Sequence, residues 1–143
     1  MKWLGTRSAG LLLALPTWTV LGISRALHPD PAGTGTHTQL GLGRCPVLAL
    51  TGYPCPMCGM TTTFALMADL RPVDAALNQP FGLVLFSLTV VAALSGAAQL
   101  LTGRPVVASL LERVLRREQL FAGLLLAGMI GGWVYKTAIV RGW

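Results

Sequence analysis

Charge is what this sequence has least of. Its 143 residues hold 11 Lys and Arg and only 5 Asp and Glu, so 11% are charged, against about 25% in an ordinary soluble domain. With 53% apolar residues and a mean hydropathy of +0.64, the chain is too apolar for a soluble globule, and a membrane protein is expected. At 15.1 kDa it makes one domain, with no room for a nucleotide-binding fold beside membrane spans. The net charge of +6 is not a nucleic-acid footprint. No basic run exceeds Arg116-Arg117, and the aromatics lie inside apolar stretches. Also missing are a Ser-His-Asp set, paired carboxylates and a Gly-rich phosphate loop between strand and helix, so nothing in the pattern points to catalysis.

What is there is organised by the gaps between charges. No charge falls between Arg7 and Arg25, between Asp74 and Arg104, or between Glu118 and Lys136. Each gap is near or above the roughly 17 residues a helix needs to cross hydrocarbon. Three transmembrane helices are predicted over about 9–27, 81–101 and 120–140, the first bent by Pro16 and the third carrying Lys136, which is expected to snorkel to the headgroups. The first could alternatively be a cleaved leader ending at Ser24-Arg25-Ala26, but Trp18 and the lack of a polar stretch before that triplet favour a retained anchor.

A fourth uncharged stretch, residues 45–68, contains Pro46, Gly52, Pro54, Pro56 and Gly59, which bar a helix from its first half. A CPxCG turn and short helix over 54–70 is expected instead, re-entrant or lying at the interface. The expected architecture is an all-α membrane protein of three spans, this short helix, and an amphipathic helix over 105–118. In that last helix Val107, Leu110, Leu111, Val114 and Leu115 form one face and Glu112, Arg113, Arg116 and Arg117 the other. It is read as a stiff connector, or as a surface for anionic lipid or an acidic partner.

The segment between the second and third spans holds Arg104, Arg113, Arg116 and Arg117, and Lys2 and Arg7 precede the first. Both sides are therefore expected in the cytoplasm, and the long connection from His28 to Pro80 outside it. Gly128 and Gly132 make a GxxxG pattern, and Ala92 with Gly96 a second small-residue surface, for packing within the chain or for a homo-oligomer.

Chemistry, if present, belongs to Cys55-Pro56-Met57-Cys58-Gly59, with Cys45-Pro46 ten residues earlier. Two residues between cysteines bring both sulfurs to one side of a turn, where they can ligate a metal or close a disulfide. At a helix N-terminus, backbone amides favour a thiolate. A structural zinc site wants four ligands, and Cys45, His28 and His37 are the remaining candidates. Zinc or copper is the candidate ion. A redox pair would use Cys55 as the outer thiol and Cys58 as the resolving one. The bland alternative is that the thiols only pack and shape the turn.

Leu50-Thr51-Gly52-Tyr53-Pro54-Cys55-Pro56-Met57-Cys58-Gly59-Met60-Thr61, followed by Gln79-Pro80 at the start of a span, resembles the small bacterial membrane proteins grouped as domain of unknown function 2752. The signature there looks like CPxCGxTR and then Asn-Pro, with a Cys-Pro before it as at Cys45-Pro46. The close likeness covers about a quarter of the chain. Thr62 stands where the family has Arg, and Gln79 where it has Asn, with Asn78 one place earlier. A role resting on that Arg charge cannot be filled by Thr62. The resemblance implies a bacterial inner-membrane protein and brings no activity with it. The expectation is a non-enzymatic accessory or interaction protein partnered by the bilayer, by another membrane protein or by its own copies. The alternative is a metal-binding or thiol-redox protein acting through Cys55 and Cys58.

Overall fold

The computed structural model describes residues 2–142, with side chains except those of residues 2–6, Leu110 and Leu111. Described residues form helices and turns and no strand. Three helices are long and apolar enough to cross a membrane: α1 (Lys2–Ala26), α5 (Pro80–Thr102) and α7 (Glu118–Arg141). Between them lie α2 (Pro46–Thr51), α3 (Met60–Ala68), α4 (Pro72–Asn78) and α6 (Val106–Leu115). This is a multi-pass membrane fold. Its long helices turn Leu12, Leu15, Leu94 and Leu124 outward, as surfaces solvated by lipid chains do.

The closest helix pair is α1 on α5. A Cβ on Gly96 would lie 2.8 Å from the Ala14 nitrogen and 3.0 Å from the Gly10 oxygen, all backbone, so only glycine allows this approach. Ala93, fully buried, sits one turn before it. The GxxxG of α7 is used within the chain as well. Gly128 and Gly132 receive the Phe81 side chain, whose atoms would lie 2.9 Å from a Cβ at either position.

Three elements depart from the sequence expectation. Pro46 does not bar a helix but begins one, because at the first helical position its missing N–H and fixed φ cost nothing. Thr36–Leu40 forms a 3-10 turn that the sequence pattern does not announce. It is pinned by Thr36, which is fully buried, shares a 2.8 Å hydroxyl contact with Thr62 and accepts from the Asp30 N–H at 2.9 Å. The third departure is α4, set off from α5 by one extended residue: Pro80 excludes the helical region for Gln79, which takes φ −159° and ψ 96°. That break turns Asn78 and Gln79 inward.

The short helix after the CPxCG turn is present as α3 and ends where Leu70 adopts φ 58° and the Arg71 N–H returns to the Leu66 oxygen at 2.9 Å. Five of its nine residues are buried, so it is packed into the bundle. Its far end is tied to α1 by the Arg25–Asp69 ion pair at 2.9 Å, and Arg71 pairs with Asp74 at 2.7 Å. Helix α6 forms with Glu112 and Arg113 exposed, and the part of its apolar face expected from Leu110 and Leu111 lies outside the described side chains.

Gly96→Ala is expected to destabilise the protein by about 1–3 kcal/mol through overpacking. Gly123→Ala, where a Cβ meets nothing within 4 Å, should be neutral or slightly stabilising. Thermal unfolding in detergent distinguishes the two.

Candidate metal and thiol centre

Cys45 is the residue before α2, and Cys55 and Cys58 flank the turn that leads into α3. The turn is closed by the Cys58 N–H donating to the Cys55 oxygen at 2.9 Å and the Met60 N–H to the Met57 oxygen at 3.1 Å. Gly59 then starts α3 at φ 86°. A side chain there would be strained by that φ and would also meet the Gly33 oxygen at 2.8 Å and Lys136 Cε at 3.0 Å. Gly59 is therefore required by two independent constraints.

The three sulfurs converge. All lie within 4.8 Å of one another, with Cys55 Sγ and Cys58 Sγ 3.6 Å apart. All three are unbridged thiols. A metal with bonds of about 2.3 Å to tetrahedrally disposed sulfurs sets them about 3.8 Å apart, so the trio needs only slight closing to hold one ion. Cys45 and Cys55 are half-buried and Cys58 is buried. The three line one side of a cavity of about 790 Å³ that Asp30, His37 and Met57 also line.

The thiols differ in acidity. The backbone amide of Leu48, in the first turn of α2, is the largest influence holding the Cys45 thiol down at about 7. Burial pushes Cys58 up to about 12. The expectation that the helix-start amides would favour a thiolate in the CPxCG turn is thus met at Cys45 instead, because desolvation outweighs the amides at Cys58. Without a metal, Cys45 is partly ionised near neutral pH and Cys58 keeps its proton.

Neither histidine joins the sulfurs. His28 is exposed, its backbone N–H and C=O both bonded to the Gln39 side-chain amide at 3.1 and 2.6 Å. His37 lines the cavity, but its Nε2 contacts the Gly43 oxygen at 3.1 Å.

The residues that hold the site are ones the spacing of cysteines could not reveal. Helix α7 reaches across to the turn and to the segments around it with four side chains. Trp133 Nε1 donates to the Pro54 oxygen at 2.7 Å, Tyr135 donates to the Leu77 oxygen at 2.9 Å, and the Arg141 guanidinium lies 4.7 Å over the Tyr53 ring. Lys136, expected to snorkel outward, is instead 2% exposed and donates to the Gly33 oxygen at 3.0 Å and Asn78 Oδ1 at 2.7 Å. Those oxygens replace the solvation that snorkelling would have supplied. Asn78 completes the link by donating to the Gly59 oxygen at 3.0 Å and Thr63 Oγ1 at 2.9 Å. One signal was available in the sequence: a lone charge inside an apolar span marks a site more often than a surface.

Residues 45–93 match the family described as Protein of unknown function (DUF2752). The matched segment starts at the first cysteine of the trio, contains the other two, and runs through α3 and α4 into α5. It covers about a third of the chain and contains the whole sulfur cluster. No curated protein and no solved structure matches this chain.

Within the DUF2752 segment the two positions before Pro80 behave differently. Gln79 is fully buried, with Nε2 at 3.5 Å from the Pro56 oxygen and no described donor reaching Oε1. Asn78→Ala is expected to cost about 2–3 kcal/mol, since it removes an acceptor from a buried ammonium and two donated bonds. Gln79→Leu should cost less, because its amide is poorly satisfied already. Denaturation midpoints of the two variants provide the comparison.

Proposed function

We propose that this protein is a membrane-anchored metal-binding protein that holds one thiophilic ion, zinc or copper(I), through Cys45, Cys55 and Cys58. The observation carrying this reading is the position of Cys45. A thiol ten residues before the CPxCG turn is brought by a separate helix to within 4.8 Å of both turn sulfurs, which a turn-shaping role for Cys55 and Cys58 does not require. Thiolate ligands suit zinc and copper(I) and not magnesium or calcium. Three sulfurs beside a cavity leave a fourth position for solvent or an exchanging ligand, the pattern of a working site more than of a closed structural one. In this reading no bond-making chemistry is assigned to the protein. It acts as an accessory that holds, senses or passes on the ion.

A second reading has one observation in its favour. The 3.6 Å between Cys55 and Cys58 is close enough for a disulfide after small rotations, at a bond length of about 2.05 Å. It would leave Cys45 unpaired.

The orientation that goes with the proposal puts Arg104, Arg113, Arg116 and Arg117 in the cytoplasm and the sulfur cluster on the opposite side, in a bacterial inner membrane. Tyr53 and Pro54 lie against Arg141 and Trp133, so the cluster would sit within about 12 Å of the outer end of α7, at 1.5 Å per residue.

Protein purified under reducing conditions and supplied with zinc should retain one ion per chain after desalting, and Cys45→Ser, Cys55→Ser and Cys58→Ser should each abolish that retention. Loss in Cys55→Ser and Cys58→Ser with full retention in Cys45→Ser would overturn the three-sulfur site. In intact cells, a membrane-impermeant maleimide should label the chelator-treated protein, whose only thiols are these three. Labelling only after lysis would overturn the orientation.

A further inference from the structure

Lys136 presents a problem that the metal reading resolves. Its ammonium is 2% exposed, and its two acceptors, the Gly33 oxygen and Asn78 Oδ1, are neutral. Asp69 pairs with Arg25 and Asp74 with Arg71, and no carboxylate among the described residues is paired with Lys136. A buried cation with dipoles alone around it is costly and calls for an anion nearby. The turn that carries the cysteine cluster lies beside the ammonium. Lys136 Nζ lies 3.1 Å from the Cβ position of Gly59, the residue after Cys58.

Charge balance then gives Lys136 a role. A divalent ion held by three thiolates leaves a centre of net charge −1: from three protonated thiols, M²⁺ plus three Cys–SH gives [M(S–Cys)₃]⁻ and three H⁺, and one proton fewer where Cys45 is already ionised. We infer that Lys136 is the fixed counter-cation of this trithiolate centre, offsetting the negative charge that the cluster gains on metal uptake. The inference rests on the metal reading of Cys45, Cys55 and Cys58. It makes Lys136 a positioning residue, acting on the ion through the sulfurs. It also explains why Gly59 must lack a side chain, since a Cβ there would fill the space between the ammonium and the turn.

The test compares wild type with Lys136→Gln, Lys136→Leu and Lys136→Arg, titrated with zinc and with cobalt(II) as an optical probe. Removing the charge should weaken zinc binding by about tenfold or more, the usual scale for groups that support metal ligands, while Lys136→Arg keeps most of the affinity. The sulfur-to-cobalt charge-transfer band should move to lower energy in Lys136→Gln, because a positive charge beside the sulfurs holds their lone pairs down. A merely structural role would not produce that shift. Metal-free Lys136→Leu should melt lower than wild type, because the Gly33 and Asn78 oxygens lose their donor, so affinities are compared at a temperature where every variant is folded. Unchanged affinity and an unmoved band in Lys136→Gln and Lys136→Leu would overturn the inference, as would an equal loss in Lys136→Arg. If wild type itself takes up neither zinc nor cobalt, the metal reading has failed, whatever Lys136 does.

Discussion

The ammonium of Lys136 ties the first long connection, the end of α4 and the last span together at one point. It binds the Gly33 carbonyl in the first long connection and Asn78 at the end of α4, and Asn78 in turn holds Gly59 and Thr63 at the start of α3. In the low dielectric of an apolar bundle such bonds are strong, and an unmade one is correspondingly costly. The last span is therefore locked to the turn that carries Cys55 and Cys58. Trp133 on Pro54 and Tyr135 on Leu77 add neutral bonds from the same turn of α7. Without this clasp, a turn rich in proline and glycine would have few backbone bonds of its own to fix it.

The remaining helices serve as a frame for that turn. The contact of α1 with α5 depends on Gly10, Ala14 and Gly96 letting two backbones meet, and Phe81 fills the surface left by Gly128 and Gly132 on α7. Both are packing solutions suited to lipid, where burial of apolar surface gives helices little reason to associate and close van der Waals fit has to suffice. Thr36, Thr62 and Thr63, all essentially buried, close the polar layer above this frame. Thr62 stands where the family signature resembled here carries an arginine, and its hydroxyl is spent on Thr36.

Much of the fold was legible because its signals are long. Charge gaps of a span's length signalled all three long helices, although α1 begins well before the expected start near residue 9, at Lys2, and the CPxCG turn with a short helix behind it was readable from Pro54, Pro56 and Gly59. The helices at Pro46 and Pro72 were not, because proline reads as a breaker unless the residues after it are known to turn. Nor was the 3-10 turn at Thr36, whose order comes from Thr62, 26 residues away in sequence. For the site, the cysteines were readable as candidates, but their convergence was not: it depends on how α2 is oriented against α3. Lys136 was visible as an isolated charge and misread as snorkelling, since the oxygens that hold it lie 103 and 58 residues away.

X-ray absorption at the zinc edge, on the zinc-loaded wild-type protein in detergent, tests the convergence of the sulfurs most directly. Three sulfur neighbours at about 2.3 Å, with one lighter atom, are expected if Cys45, Cys55 and Cys58 share the ion. A shell of nitrogen and oxygen with one sulfur or none would contradict it.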